Sequence, residues 1–516
     1  MTRTMATVAS DYGFSLPDDW NASRLLWDNL KSNAERPAYY HEDEVWTYGQ
    51  LAGEAGRIGT HLLAAGSAPG DRILLFLDDT PTYPAAIMGA LRAGLVPILI
   101  NTLSPAEMVQ FFLEDSSATS AIVSESFADL FPQEMLNFTP CKSILIAEER
   151  LWAEANPDLP EHPVKRSDMA FWMYSSGSTG KPKGVVHDHE DAAYPCDTFG
   201  KQVLGIGPAD VCFSIPKIFF AYGFGNSVLF PMRVGAATIL LSGRSTPDRV
   251  FATVAEKKPT MLFALPTVYS TLVNSPDFGG ADMSSIRMFL SAAEVLSEDL
   301  ANKWKSKFGL PIIEGLGSTE MTHIYLSNTV ELQKPGAAGK VVPGYDVRLV
   351  APDGSTVSVG EEGVMEVIGV SRADYYWNRP DKTVETMKGE WLNTGDRFTV
   401  DEDDYYYFKG RADDLVKVSG QWVYPMEIEW ALNEHSSVRE ACVAAIEMED
   451  KRKTIRAWVS LKEGEAASDS LSKELRNWVK GRLLPHKYPR EIIYLDTLPK
   501  TGTDKIDRQA LLKIEH

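Results

Sequence analysis

Cysteine is scarce: four residues in 516, at Cys141, Cys196, Cys212 and Cys442, with no C-x-x-C pair. That excludes a disulfide framework and offers no spacing for a structural zinc. Positive charge is also in deficit. Against 71 acidic residues stand 51 basic ones, a formal charge of −20, which disfavours nucleic acid or an anionic membrane as the main partner. No uninterrupted apolar run reaches membrane-spanning length, so no stable membrane insertion is expected. Residues 1–19 lack the apolar core and small-residue cleavage site of a secretory signal, and the expected compartment is the cytoplasm. There is no internal repeat and no low-complexity tract, and a homodimer stays open. What remains is an ordinary globular composition, 44% hydrophobic and 24% charged. The chain is too long for one core, so at least two domains are expected.

Apolar runs alternate with helical patterns through most of the chain. Residues 73–77 read as strand, 83–93 as helix, 96–100 as strand, 105–114 as helix and 121–123 as strand. This β-α-β-α rhythm predicts helix-covered parallel sheets. The run 228–241 is broken by Pro231, Arg233 and Gly235 and reads as strand, loop, strand. Between 364 and 408 helices thin out, predicting a β-rich subdomain that ends near Gly410. Beyond it, strand-like 438–446, 455–461 and 491–495 with helical 471–483 predict an α+β unit of about a hundred residues.

The densest chemistry lies in residues 174–187, Tyr-Ser-Ser-Gly-Ser-Thr-Gly-Lys-Pro-Lys-Gly-Val-Val-His. It follows the apolar run 169–174, which reads as a buried strand. Backbone N–H groups, the hydroxyls of Ser175, Ser176, Ser178 and Thr179, and the ammoniums of Lys181 and Lys183 can surround phosphate oxygens. Gly177 and Gly180 permit the close backbone approach that side chains would block. This is not a Walker A loop, which runs Gly-Lys-Ser/Thr straight into a helix. Pro182 pushes Lys181 away from helical geometry. The other reading is a Gly/Ser surface loop, which would not ordinarily carry two lysines between apolar runs.

Residues 174–187 resemble the signature of the adenylate-forming superfamily, which includes acyl-CoA synthetases, firefly luciferase and peptide-synthetase adenylation domains. Four more stretches resemble that family's motifs, in its order: 315–320 (Gly-Leu-Gly-Ser-Thr-Glu), 391–396 (Trp-Leu-Asn-Thr-Gly-Asp), 410–420 and 499–508. The resemblance implies an α/β protein in which residues 1–410 form a large domain of helix-covered parallel and mixed sheets plus a β-rich subdomain. It implies a hinge at 411–420 and a small mobile α+β domain at 421–516, with the active site between. The implied reactants are a small-molecule carboxylic acid, ATP and coenzyme A, with Mg²⁺ as the metal.

Roles follow from the same resemblance. Glu320 is the implied metal ligand, since Mg²⁺ takes one or two carboxylates beside phosphate oxygens. Ser/Thr followed by Glu is equally capping chemistry. Ser318 and Thr319 bring hydroxyls to phosphate, and Glu314, Gly315 and Leu316 fall on the adenine segment. Asp396 matches the ribose carboxylate, with an Asx turn as its other reading. Arg411 matches a second ribose or phosphate contact, with a surface ion pair of little value as its alternative. Asp413 matches the hinge residue, and Ser419 and Gly420 lie toward the pantetheine. Lys505 is the implied cation between carboxylate and α-phosphate, with Asp504 where the family usually has glycine. Thr319, Glu320 and Lys505 make the implied catalytic set.

Residues 217–226 (Lys-Ile-Phe-Phe-Ala-Tyr-Gly-Phe-Gly-Asn), with 291–294 and 321–324, resemble the benzoate–CoA ligase branch. On that resemblance Ala221, Tyr222, Ala292, Ala293, Gly317, His323 and Ile324 line a short, flat acyl pocket. The aromatic cluster by itself is equally core packing. Ala293 stands where the branch often has glycine and predicts a narrower slot. The expected function is an ATP-dependent acid–CoA ligase for a benzoate-like aromatic or small cyclic acid. A fatty-acyl-CoA ligase, a free-standing adenylation enzyme loading a carrier protein, and an inactive adenylate-binding sensor compete with it. The presence of Glu320 and Lys505 disfavours the last. His187-Asp-His-Glu190 is a weak metal signal, because its two histidines would diverge on a helix.

Overall fold

A computed structural model describes residues 4–175, 182–294, 296–412, 416–418, 421–423, 425–447, 453–484, 486–500 and 506–514. The chain divides into two compact units, Met1–Val347 with Val367–Leu392 and Arg348–Glu366 with Asn393–His516. The β-rich stretch expected to close the large domain is therefore shared between the two. No helix among the described residues is long and apolar enough to cross a membrane.

The first unit is built on two sheets. One runs Tyr375–Tyr376, Lys183–Asp188, Met169–Ser175, Val96–Leu99, Arg72–Phe76, Ser120–Val123 and Ser143–Ile146. Its strands from Met169–Ser175 to Ser143–Ile146 are parallel. The expected strand and helix pieces of this region appear with ends shifted by one or two residues, such as the helix Thr82–Arg92. In the other sheet Ile312–Gly317, Met288–Ser291, Met261–Ala264, Val211–Ser214, Ala237–Leu240 and Pro37–His41 are parallel neighbours. These strands are apolar on both faces, as doubly covered strands must be.

Local signals set the covering helices. Thr47 caps the helix Tyr48–Ala64 in a reciprocal box with Gln50, which satisfies two otherwise orphaned N–H groups. That helix packs directly on Thr82–Arg92. A Cβ added to Gly89 would stand 2.2 Å from the Ala55 carbonyl oxygen, so only glycine allows the two backbones to meet there.

One expectation is overturned. Residues 228–241 are not strand, loop, strand: Gly225–Leu229 is a π-helical turn, Phe230–Val234 an α-helix, and only Ala237–Leu240 a strand. Pro231 lies inside a continuous helical stretch, Ala221–Val234, directly after its π-helical turn, where the hydrogen-bond ladder is already shifted. Phe230, Pro231 and Met232 are all buried, so no polar face reveals the helical period. The strand expected over 169–174 is present, and the segment after residues 176–181 is a strand. Met169–Ser175 and Lys183–Asp188 pair antiparallel with Ser175 opposite Lys183, so the loop leads into a strand and not a helix.

The second unit contains strand pairing between Asn393–Val400 and Tyr406–Arg411, and an α+β part beyond it. There Val438–Glu447, Lys453–Leu461 and Glu491–Tyr494 form a sheet, packed by Pro425–Asn433 and Asp469–Lys480. The latter helix starts at Ser468, whose hydroxyl accepts from Leu471 N–H, and it buries Leu471, Leu475 and Val479, an i, i+4, i+8 stripe.

Candidate active site

The first unit gathers its candidate residues at the carboxyl ends of parallel strands, the usual ligand edge of an open α/β sheet. Strand Ile312–Gly317 carries Glu314, Gly315, Leu316 and Gly317, and a single 3₁₀ turn, Thr319–Met321, follows it. The chain then folds back, and Gly317 pairs with Ile324. A Cβ at Gly317 would lie 2.2 Å from the His323 carbonyl oxygen, so glycine is required for this tight return.

Glu320 projects from the turn. Its Oε1 accepts from the Tyr376 hydroxyl at 2.8 Å and weakly from Ser175 Oγ at 3.5 Å. Lys183 Nζ sits 4.2 Å over the Tyr376 ring, so the hairpin after the phosphate loop and the turn meet through one tyrosine. Glu320 Oε2 takes no hydrogen bond from a described residue, and the Ser318 hydroxyl is buried with no partner among them. A spare carboxylate oxygen and, two residues before it, an orphaned hydroxyl suit a hard cation carried on phosphate, which needs no more than one or two protein carboxylates. Among the described residues no group of three or more His, Cys, Asp or Glu is arranged to hold a metal ion. Ser176, Gly177, Ser178, Thr179, Gly180 and Lys181 lie outside the described residues.

Two groups that the sequence reading did not assign support the turn. His187 Nε2 lies 2.8 Å from the Thr319 carbonyl and Nδ1 lies 2.7 Å from Asp191 Oδ2. A carbonyl only accepts, so Nε2 carries the proton. Burial pushes His187 down to about 4, while burial, with Asp374 and Glu190 nearby, raises Asp191 well above the carboxylate range. The pair is thus a neutral hydrogen bond with Asp191 as donor. Ser371 is the second group: its hydroxyl donates to the Met321 carbonyl at 3.0 Å. His189 points elsewhere, its Nδ1 accepting from Ala22 N–H at 3.0 Å, so the two histidines do not converge.

Glu314 accepts from Leu296 N–H at 3.3 Å, and burial pushes its carboxyl up to about 7. The candidate acyl wall begins beside it. Ala292 is buried, and Ala293 is exposed at φ +70°, a conformation that glycine takes at lower cost. Glu294 fixes this segment by accepting from Thr267 Oγ1 at 2.6 Å. Ala221 opens the helix Ala221–Phe224, and Tyr222 and His323 pack with ring centroids 5.5 Å apart. His323 Nε2 meets the Tyr222 carbonyl at 3.3 Å, and burial pushes the ring down to about 3. The neutral ring therefore donates from Nε2, and Nδ1 is left with an unpartnered lone pair. Asn226, fully buried, has no hydrogen bond from a described residue on either side-chain atom. It offsets part of the burial-driven rise in the Tyr222 pKa, yet phenol and amide do not meet at hydrogen-bonding geometry.

Asp396 and Arg411 lie in the second unit, as opposite residues of a strand pair with Arg411 Nη1 3.2 Å from Asp396 Oδ1. Asp413, Ser419, Gly420 and Lys505 fall outside the described residues, and so does Asp504.

Comparison with known proteins gives a consistent picture. The AMP-binding enzyme family matches residues 26–377, and the AMP-binding enzyme C-terminal domain matches 427–505. The chain is 38% identical over 507 residues to the benzoate–CoA ligase of Thauera aromatica, covering 96% of each. It is 37% identical over 506 residues to the 4-hydroxybenzoate–CoA/benzoate–CoA ligase of Rhodopseudomonas palustris, covering 96% of this chain and 94% of that one. Among solved structures it resembles a benzoate CoA ligase from Burkholderia xenovorans, with TM-score 0.89, 37% identity, and 96% and 100% of the two chains covered. An anthranilate CoA ligase in complex with anthranoyl-AMP aligns at TM-score 0.91 and 34% identity over 98% of both chains.

Proposed function

The chain belongs to the AMP-binding enzyme family, and we propose that it activates a benzoate-like aromatic or small cyclic acid as an acyl-adenylate and passes the acyl group to coenzyme A. It is an AMP-forming acid–CoA ligase. In the first half-reaction a carboxylate oxygen bonds to the α-phosphorus of ATP and pyrophosphate leaves. In the second the thiol sulfur bonds to the acyl carbon, AMP leaves with the electron pair, and the thiol proton is released.

The observation that carries this reading is the shared turn. Glu320, held by Tyr376 with one oxygen spare, is three residues from His323 and four from Ile324. A nucleotide-facing carboxylate and an acid-facing wall thus share one short, rigid return of the chain. Mg²⁺ bound at Glu320 would supply charge neutralisation on the polyphosphate. Ser175, Lys183, Ser318 and Thr319 would hold the phosphates, joined by residues 176–181. Glu314, Gly315 and Leu316 would flank the adenine, and Asp396 with Arg411 the ribose. Ala221, Tyr222, Ala292, Ala293, Gly317, His323 and Ile324 would enclose the ring. Lys505 would neutralise the approach of carboxylate to phosphate. Residues 1–410 and 421–516 would be the working domains, turning about Asp413 so that Ser419 and Gly420 reach the pantetheine in the second half-reaction. The cytoplasm is the proposed compartment.

The test mixes protein, ATP and Mg²⁺ with a panel of acids, with and without CoA. Pyrophosphate release that needs an aryl acid, and thioester only when CoA is added, is the expected result. Equal turnover of long-chain fatty acids would remove the aryl assignment.

A further inference from the structure

The turn that carries Glu320 is strained, and it is tied down at every backbone carbonyl. Thr322 ends it at φ +63°, ψ −39°. For a β-branched residue that is a true outlier. It is the centre of a γ-turn closed by His323 N–H on the Met321 carbonyl at 2.7 Å, the strained hand of that turn. Glycine or asparagine would take the same backbone more cheaply. What threonine adds is its side chain, which is fully buried. Its hydroxyl donates to the Ser371 carbonyl at 3.1 Å and lies 3.1 Å from His187 Nδ1.

The remaining ties come from two other segments, the strand Lys183–Asp188 and the loop that carries both Ser371 and Ala373. The Thr319 carbonyl is held by His187 Nε2 at 2.8 Å, the Glu320 carbonyl by Ala373 N–H at 2.7 Å, and the Met321 carbonyl by Ser371 Oγ at 3.0 Å. Each anchor is itself braced. Tyr345 OH meets Ser371 Oγ at 2.8 Å, and His187 stacks on Phe171 with centroids 5.1 Å apart and 17° between planes. His187 lies on Lys183–Asp188, the strand that leaves the glycine-rich loop. One side chain therefore links the phosphate hairpin to the turn.

We propose that Thr322, His187 and Ser371 form a clamp that holds this turn in its strained shape and so aims the Glu320 carboxylate at a metal–triphosphate, making Thr322 and His187 positioning residues for adenylation. This rests on the proposed function for its chemistry. The clamp favours one carboxylate direction because relaxing Thr322 toward negative φ would swing Met321 and Glu320 with it. A residue there only for packing would have no need of the hydroxyl, and valine would serve equally.

The test compares Thr322→Val, which keeps the β-branch and loses the hydroxyl, with Thr322→Ser, which keeps the hydroxyl. The first readout is ATP affinity by calorimetry, in Mg²⁺ and in EDTA. In Thr322→Val the gain in affinity from Mg²⁺ should shrink at least about tenfold, and in Thr322→Ser it should stay within about threefold of wild type. The second readout splits the half-reactions: pyrophosphate release should fall about thirtyfold in Thr322→Val, while thioester formed from supplied aryl-adenylate and CoA stays within about threefold. His187→Phe, which preserves the ring stack, should reproduce the pattern and stands in if Thr322→Val does not fold. A folded variant that keeps the full Mg²⁺ gain overturns the clamp, and so does an equal fall of both half-reactions. Wild-type protein that releases no pyrophosphate with any aryl acid would defeat the proposed function instead. The ATP titration uses no acid and reads the clamp by itself.

Discussion

Two stretches that meet at Thr322 and His323 treat their polar atoms differently. In the turn proposed for the nucleotide, the carbonyls of Thr319, Glu320 and Met321 accept from His187 and from the Ser371–Ala373 loop, and the Ser318 hydroxyl just before it is the buried polar group left without a described partner. In the wall on the acid side, the Asn226 amide, the Tyr222 and Ser291 hydroxyls and Nδ1 of His323 are buried without a hydrogen bond from the described residues. An unsatisfied buried polar atom costs about 1–3 kcal/mol, so the second arrangement is tolerated only where something else completes it. The backbone of the proposed nucleotide side is held in place by the fold, with the Ser318 hydroxyl left for a ligand. On the proposed function, the acid side would be finished by its ligand or by the water that the ligand displaces.

The comparison can be broken first on the nucleotide side. Glu320→Gln should lower the rate of pyrophosphate release by about 10²–10³-fold, the scale of losing one preorganised electrostatic group. The urea midpoint should hardly move, because Tyr376 can still donate to the amide oxygen. A loss smaller than about fivefold would remove Glu320 from the metal role.

Glu314 sharpens the boundary between the two sides. Folding raises its carboxyl from 4.5 to about 7, so between those values the folded chain keeps a proton that the unfolded chain has released. Its contribution is fully present below pH 4.5, is lost as pH rises through 7, and stays lost above. Glu314→Gln should therefore be more stable than the parent at pH 8 by roughly 3 kcal/mol. The gap should close below pH 4.5, as chemical denaturation at both pH values will read. A pH-independent difference would contradict the buried carboxyl.

On the proposed acid side the expected effect is smaller. Asn226→Leu replaces two unpaired atoms by an apolar group of similar volume and should stabilise the chain by about 1 kcal/mol in urea unfolding, while shifting the preference among ring-substituted acids. Destabilisation beyond about 2 kcal/mol would mean that the amide is fully satisfied in the folded protein.

How much of this was legible in the sequence depends on the range of the interaction. The alternation of strands and helices was readable because each buried strand is a short apolar run between turn residues, as in Val96–Leu99 and Ser120–Val123. The segment 228–241 was misread because a helix buried on all sides has no polar face, so its period is hidden. Glu320, Ser175 and Lys183 were reachable through motifs. Their partner Tyr376, 56 residues beyond Glu320, was not, since nothing local marks a tyrosine at the end of a short edge strand as the support of a distant carboxylate. The pair His187 and His189 suggests a metal from sequence, yet His187 bonds Asp191, four residues on, and the Thr319 carbonyl, 132 residues away. The strain at Thr322 is a backbone property with no sequence signature, because threonine is a residue that such a φ ordinarily excludes.

The central claim is that a carboxylate oxygen attacks the α-phosphorus of ATP. Turnover of benzoate labelled with ¹⁸O in both carboxyl oxygens, with ATP, Mg²⁺ and CoA in ordinary water, tests it most directly, read by mass spectrometry of the nucleotide product. The account predicts one ¹⁸O in the phosphoryl group of AMP and pyrophosphate free of label. Label in inorganic phosphate with ADP as the product, or AMP without label, would contradict it.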